Sequence, residues 1–387
     1  MANLPLDINK VNNWYHPTKI FFGKSVLLKN IDSIIQINFS EIKEILIVTG
    51  KTHLKSNIHF KKSIESLHKY KIHFYTEIDP YPSPETVETL SAKIKENNIS
   101  IILAIGGGSV MDASKAASLL SQNPGKWIDY NKGTKKLKSK GIPVIAVPTT
   151  SGSSSEVTKF STIWDWKSKT SAGLNHPFLY PDIAIIDPDL AITMPSHLAA
   201  NSGWDALTSS FESYWSKDSN EISDMYALKS ISIFFNNLEN SVQNSTFESR
   251  ENCALGATIS GIGYSNSRPN LCHALGTPLT LNWQTIHGQA VCISLPYFLP
   301  YIYDKLTSNK QQILLETTNS SNIDSLVTKL KQMINNCNLS TKLNDLGLNE
   351  KDVDIIISQT PKERLEPVPY EFSEKTMKQI LLNMFEK

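Results

Sequence analysis

The sequence predicts an α/β fold over its first half, built on a parallel sheet, and an all-α fold over its second. Three observations predict it. Short, continuous apolar runs alternate with helical stretches through the first half, and runs of that kind suit strands buried on both faces. Strand-like runs become rare past residue 196, where helical spacing takes over. Pro195 followed by Ser196 opens a new helical segment at the change, so the boundary is placed there, with domains 1–195 and 196–387.

The elements follow in order. Glu44 to Thr49 is a β-rich apolar run ending at Gly50, and Lys71 to Thr76 is a second. Ser83 to Asn97 is a helix, with Ser-Pro-Glu-Thr as its start signal. Ile101 to Ile105 is a third strand, ending at Gly106, and Val110 to Leu120 has helical spacing behind it. Lys132 to Lys140 is basic and glycine-bounded, a solvated loop, and Pro143 to Pro148 is the fourth strand. In the second half, Ala200 to Trp215, Ser223 to Ser241, Ser249 to Tyr264 and Ile323 to Asn336 are helices.

Bulk properties exclude several classes of function. At 387 residues the chain is long for one core. A formal net charge of +1 gives no attraction to nucleic acid or an acidic membrane surface. No apolar run reaches the roughly 18 residues of a membrane span, and the N-terminus lacks a secretory pattern. Cys253, Cys272, Cys292 and Cys337 form no CxxC pair and fit reduced thiols in the cytoplasm.

Two loops have phosphate-binding chemistry. Gly106-Gly107-Gly108-Ser109 joins a buried strand to a helix, with Asp112 and Lys115 one turn in. Glycines permit a tight turn and close approach, and the helix start offers N–H groups and a positive dipole end to a pyrophosphate. The second loop, residues 148–158, is dense in hydroxyls, among them Thr149, Thr150, Ser153 and Thr158, which suit ribose and phosphate oxygens. A plain strand–helix turn and an exposed serine-rich turn are the alternatives. At the end of the first strand stand Gly50 and Lys51, where many dinucleotide folds place an acid that repels a 2′-phosphate. That favours NADP(H) over NAD(H).

Asp205, His273 and His287 offer one carboxylate oxygen and two imidazole nitrogens. Such a set suits Zn²⁺ or Fe²⁺ and leaves positions open for a substrate oxygen. Each residue alone has a packing explanation; joined to a nucleotide cradle, they point to metal-assisted hydride transfer.

These segments resemble the iron-containing (group III) alcohol dehydrogenase family. The resemblance is carried by residues 106–115, 149–158 and 181–190, by Asp205 to Thr208, by Ser265 and Asn266, and by His273 and His287-Gly288, in order, from about residue 15 to about residue 300. It implies an N-terminal Rossmann-like domain that holds the cofactor and a helical C-terminal domain that holds the metal, the architecture shared with dehydroquinate synthase-like enzymes. It places Lys169 and Leu190 at further cofactor contacts, against the alternatives of a surface lysine and a core leucine. Members are often dimers or larger, so a homo-oligomer is expected. Within the family, the stretch 209–228, the run 277–280 and Arg268 look most like phosphonoacetaldehyde reductases, which make 2-hydroxyethylphosphonate.

Two departures stand out. The family's histidine four residues after the metal-binding aspartate is Ser209 here, a poor ligand. The histidine often found four residues after the first downstream ligand is Thr277, so the proton must come from water, a hydroxyl or another group. Arg268 suits a phosphonate or carboxylate, with a structural ion pair as its alternative, and Lys159 could add charge. The expectation is therefore an NAD(P)H-dependent reductase of phosphonoacetaldehyde, with a general short-chain alcohol dehydrogenase next. A lyase of the dehydroquinate synthase type and a metal-deficient, non-catalytic member are more distant.

Overall fold

The computed structural model describes residues 14–51 and 57–385. The first unit runs β1 (Lys19–Phe22), α1 (Val26–Asn38), β2 (Glu44–Gly50), α2 (Ile58–Glu65), β3 (Lys71–Ile78), α3 (Pro84–Glu96), β4 (Ile101–Gly106), α4 (Gly108–Gln122), α5 (Trp127–Asn131) and β5 (Val144–Pro148). Two small antiparallel pairs follow, from β6 (Phe160–Ser161), β7 (Trp164–Asp165), β8 (Thr170–Ser171) and β9 (Leu174–Asn175), with β7–β8 nested inside β6–β9. Then come β10 (Ile183–Ile186) and the short α6 (Pro188–Ala191).

The main sheet has six strands in the order β1-β10-β5-β4-β2-β3, all parallel. Its strands read as unbroken apolar runs because successive side chains enter different cores. Ile45, Ile47, Ile101, Leu103 and Ile105 pack with Leu27, Ile31 and Ile35 of α1. Leu46, Val48, Ile102 and Ala104 pack on the other face with Leu90 of α3 and Val110 and Ala117 of α4. The chain steps from β2 outward to β3, then returns to place β4 on the opposite side of β2. The loops leaving β2 and β4 diverge there and open a crevice at the carboxyl ends of the strands.

The second unit is helical: α7 (Ser196–Trp215), α8 (Glu221–Gln243), α9 (Phe247–Ser267), α10 (Leu271–Trp283), α11 (His287–Cys292), α12 (Leu295–Tyr303), α13 (Ser308–Thr317), α14 (Ile323–Asn336), α15 (Val353–Gln359) and α16 (Glu374–Leu382). Among the described residues no strand follows β10. Trp204, Phe211, Phe234, Phe298 and Leu330 are fully buried at its centre. No helix among the described residues is long and apolar enough to cross a membrane, and the four cysteines are free and buried.

Helices α8 and α9 begin earlier than the apolar spacing predicts, whereas α14 begins at Ile323 as expected. Asn220 caps α8 through the N–H groups of Ile222 and Ser223, and Thr246 caps α9 through that of Ser249. Each cap stands three residues before the expected start, because a polar first turn carries no apolar signal. Helices α10 to α12 were absent from the expectation. Every residue from Leu271 to Leu281 is buried, and a helix enclosed on all sides shows no stripe.

Candidate metal and cofactor site

The metal candidates come from three helices. Asp205 lies on α7, His273 in the first turn of α10 and His287 at the start of α11. Gly288 allows the third approach: a Cβ there would overlap the carbonyl of Asn201, one helical turn before Asp205. The Asn201 side chain also accepts the Gln289 N–H at 2.9 Å. One ligand atom from each of Asp205, His273 and His287 lies within 4.8 Å of the others.

His273 is oriented from behind by Glu212, two turns beyond Asp205 on α7. Its Nδ1 is paired with Glu212 Oε2, which directs Nε2 toward Asp205 Oδ1 at 3.2 Å. Glu212 is fully buried and also accepts the N–H groups of Cys272 at 2.5 Å and His273 at 3.2 Å. The sequence reading did not include it, although its spacing of seven from Asp205 puts it on the same helix face. Burial alone would lower the His273 pKa, but the Glu212 charge and the hydrogen bonds that the imidazole donates to Asp205 and Glu212 outweigh it and hold it at about 9. Burial, helped by the neighbouring His273, pushes His287 down to about 4 against the pull of Asp205. Ser209 is buried beside the cluster, its Oγ 3.4 Å from His273 Nε2. Thr277 donates to its own helix, at the His273 carbonyl, 2.9 Å away.

The set fits a divalent metal. The donors are a carboxylate and two imidazoles, and the buried Nδ1 of His287 has no hydrogen-bond partner. A carboxylate behind a ligating imidazole is the usual means of fixing its tautomer.

The cofactor candidates divide. Gly107 and Gly108 stand at the end of β4 and the start of α4, against the second loop. A Cβ on Gly107 would sit 3.3 Å from Thr150 Oγ1, and one on Gly108 2.5 Å from Ser153 Oγ. Thr149 ties the loops by donating its N–H to the Gly106 carbonyl at 3.0 Å. Gly108 and Ser109 begin α4, where N–H groups without helical partners can serve an anion. Gly50 lies at the end of β2 on the other side of the switch point.

Other candidates have structural partners. Asp112 accepts Ser155 Oγ–H at 2.5 Å and the Thr162 N–H at 2.9 Å, so it holds the second loop in place. Lys115 is buried beneath the loop and donates to the carbonyls of Ser155, Thr158 and Phe160. Lys51 pairs with Asp79 at 2.7 Å. Lys169 is exposed at the β7–β8 turn and donates to Asn282 of α10 at 3.1 Å. Leu190 is 1% exposed, its side chain packed inside the core that includes α1 and not facing the crevice.

The two halves of the site meet at Tyr81, another residue outside the sequence reading. Its N–H donates to Ser109 Oγ at 3.0 Å and its phenol oxygen accepts the His287 N–H at 3.0 Å. Its ring meets Trp164 and Trp166 edge-on, and Trp164 meets His287 in the same way. Burial holds the phenol above its usual pKa. The proline-rich loop of residues 79–84 was the available signal.

On the far side, Arg268 ends α9 and contacts Asp218 at 3.3 Å, both side chains more than a third exposed. Lys159 is half-buried, and its side chain has no hydrogen-bond or ion-pair partner among the described residues. Burial, then the Arg268 charge, lowers its pKa.

With this geometry established, family models give the assignment. "Iron-containing alcohol dehydrogenase" matches residues 17–188, and "Fe-containing alcohol dehydrogenase family, C-terminal" matches residues 199–385. The chain belongs to the iron-containing alcohol dehydrogenase family. It is 34% identical over 247 residues to Long-chain-alcohol dehydrogenase 1 of Geobacillus thermodenitrificans, covering 63% of this chain and 62% of that protein. It is 32% identical to an Aldehyde-alcohol dehydrogenase of Streptococcus pneumoniae over 74% of this chain, which is 33% of that protein's length. Its identity to the NADPH-dependent butanol dehydrogenase of Clostridium saccharobutylicum is 30%, over 87% of each. The crystal structure of sulfoacetaldehyde reductase from Bifidobacterium kashiwanohense with NAD⁺ superimposes with a TM-score of 0.90 at 26% identity, covering 97% of this chain and 98% of that one. The fold of this family, a parallel α/β unit followed by a helical one, is the fold the sequence predicts.

Proposed function

We propose that the chain is a metal-dependent NAD(P)H oxidoreductase that reduces a small anionic aldehyde, phosphonoacetaldehyde, to 2-hydroxyethylphosphonate. The observation that carries this reading is a three-residue metal cluster with a half-buried, unpartnered lysine, Lys159, and the arginine Arg268 on its far side. The sulfoacetaldehyde reductase neighbour supports it, since its substrate is also an aldehyde with an acidic group.

In this reading Asp205, His273 and His287 hold Fe²⁺ or Zn²⁺. When bound, the metal supplies a Lewis acid for the carbonyl oxygen and the reduced nicotinamide supplies a hydride. Glu212 keeps a proton on His273 Nδ1, so Nε2 is the nitrogen that would give up its proton and face the metal. Gly107, Gly108 and Ser109 receive the pyrophosphate at the start of α4, with Thr149, Thr150 and Ser153 beside it. Tyr81 Oη, which accepts the His287 N–H while the Tyr81 backbone N–H donates to Ser109 Oγ, gives the proton that the missing histidine at Thr277 does not. NADP(H) is the favoured cofactor because Gly50 and Lys51 replace an acid at the end of β2. Asp79 competes for Lys51, so a 2′-phosphate must displace or share that pair.

The test is NADPH oxidation by metal-loaded protein with phosphonoacetaldehyde, acetaldehyde and propanal. A preference of about a hundredfold for the phosphonate, roughly 2.7 kcal/mol, is what one charge-assisted anchor gives. Equal rates would leave a general short-chain alcohol dehydrogenase, the reading that the exposed Arg268–Asp218 pair favours. No oxidation with metal bound would point to a lyase or a non-catalytic member.

A further inference from the structure

A third cation converges on the same face of the site. Arg364 ends a short turn, residues 362–364, that packs on α10, the helix of His273. Three ties bring Arg364, Arg268 and Lys159 together. The Lys217 N–H donates to the Pro367 carbonyl at 2.7 Å, which fixes the segment after Arg364 beside Asp218, the partner of Arg268. The Lys159 N–H donates to Ser265 Oγ at 3.3 Å, one turn before Arg268 on α9. Asn270 bonds both the Arg268 carbonyl at 3.3 Å and the Glu212 carbonyl at 3.0 Å, which joins this corner to the metal cluster. The Arg364 side chain is half-buried and has no hydrogen-bond or ion-pair partner among the described residues. Its charge acts on His287, and those of Glu212, Glu363 and Arg268 act on it.

We propose that Arg364, Arg268 and Lys159 form one subsite for the charged end of the substrate, and that it selects a dianion over a monoanion. Three cations face one direct carboxylate partner, Asp218, which leaves two positive charges. Glu212 is committed to His273, and Glu363 is exposed and screened by solvent. Two uncompensated charges match a phosphonate dianion; a sulfonate neutralises only one of them. Arg364 supplies the unpaired guanidinium, whose fork suits a tetrahedral oxyanion.

This inference rests on the anionic-aldehyde reading, so its test separates the two. Inhibition of propanal reduction by methylphosphonate and by methanesulfonate is measured at mildly alkaline pH, in the metal-loaded wild type, Arg364→Gln and Arg364→Lys. Methylphosphonate is expected to inhibit the wild type at least tenfold more tightly. Arg364→Gln should erase that difference, and Arg364→Lys should restore part of it. In parallel, the ratio of kcat/KM for phosphonoacetaldehyde to that for propanal should fall about a hundredfold in Arg364→Gln. Equal inhibition by the two anions in the wild type overturns the dianion subsite, whatever the natural aldehyde. A mutant that loses both substrates in proportion, with the anion preference intact, makes Arg364 structural and also overturns it. A wild type that prefers methylphosphonate yet reduces phosphonoacetaldehyde no better than propanal supports the subsite while rejecting the proposed substrate.

Discussion

Glu212→Gln tests the site from behind. Glutamine has nearly the same shape as glutamate, so the fully buried position should still pack. Its amide oxygen can accept the N–H groups of Cys272 and His273, now held at 2.5 and 3.2 Å. Its NH₂ must then face His273 Nδ1, which forces the imidazole proton onto Nε2 and blocks the atom offered to the metal. Loss of such a supporting carboxylate typically weakens metal binding 10- to 100-fold, about 1.4–2.7 kcal/mol. The pH dependence gives a second readout. In the wild type His273 titrates at about 9, so a metal must displace its proton at neutral pH, and affinity should rise with pH up to that point. Without the Glu212 charge, burial dominates, the pKa falls, and that rise should disappear. The stability of the metal-free protein follows the same sign. The folded pKa lies above the ordinary 6.5, so the contribution is complete below 6.5 and is lost as pH rises through about 9. Its size is on the order of 3 kcal/mol at most. Chelator-buffered Zn²⁺ titrations and urea unfolding across that window measure both effects. Equal affinity above pH 9, with the same pH slope in the two proteins, would refute the positioning role.

Tyr81→Phe keeps the ring contacts but removes the hydroxyl. It should lower kcat about 10²-fold with a smaller change in KM, the usual scale for one proton-transfer group, and steady-state kinetics in H₂O and D₂O would check it. Gly108→Ala places a Cβ 2.5 Å from Ser153 Oγ and 2.7 Å from its Cβ, so the two cofactor loops must separate. Overpacking of that kind costs about 1–3 kcal/mol, and NADPH titration by fluorescence should show at least tenfold weaker binding, with metal content unchanged. Ser209→His should add a fourth ligand beside His273 Nε2, now 3.4 Å from the serine hydroxyl. Metal affinity should rise at least tenfold in competition with a chelator; no change would mean the larger ring is turned away.

Much of the architecture was legible because it depends on local pattern. The apolar runs at residues 44–49 and 101–105 coincide with central strands, since burial on both faces leaves residues 45–48 and 101–105 without a polar side chain. The flanking β1 and β10 are four residues each, too short for a periodicity to stand out. The metal candidates were legible as residue types, but their convergence depends on contacts between helices, such as that of Gly288 with Asn201. Glu212 and Tyr81 carry only weak signals, a spacing of seven from Asp205 and a place between prolines, and neither signal points to a role in the site. Arg364 escaped for a different reason, since it lies in the last part of the chain, where the resemblance was weakest. At Leu190 the resemblance points to the cofactor, while the side chain is packed in the core that includes α1.

The aromatic group around the site gives the protein an optical sensor of its own. Trp164 and Trp166 are stacked with ring centres 6.3 Å apart, and Trp164 also meets His287 at 5.8 Å. Tryptophan emission overlaps the absorption of a reduced nicotinamide, so a dinucleotide in the neighbouring crevice would draw excitation energy from this pair. Ferrous iron at His287 would dim the same emission by a different route, through its unpaired electrons. The order in which cofactor and metal arrive could thus be followed in one unlabelled sample, from light that the chain itself emits.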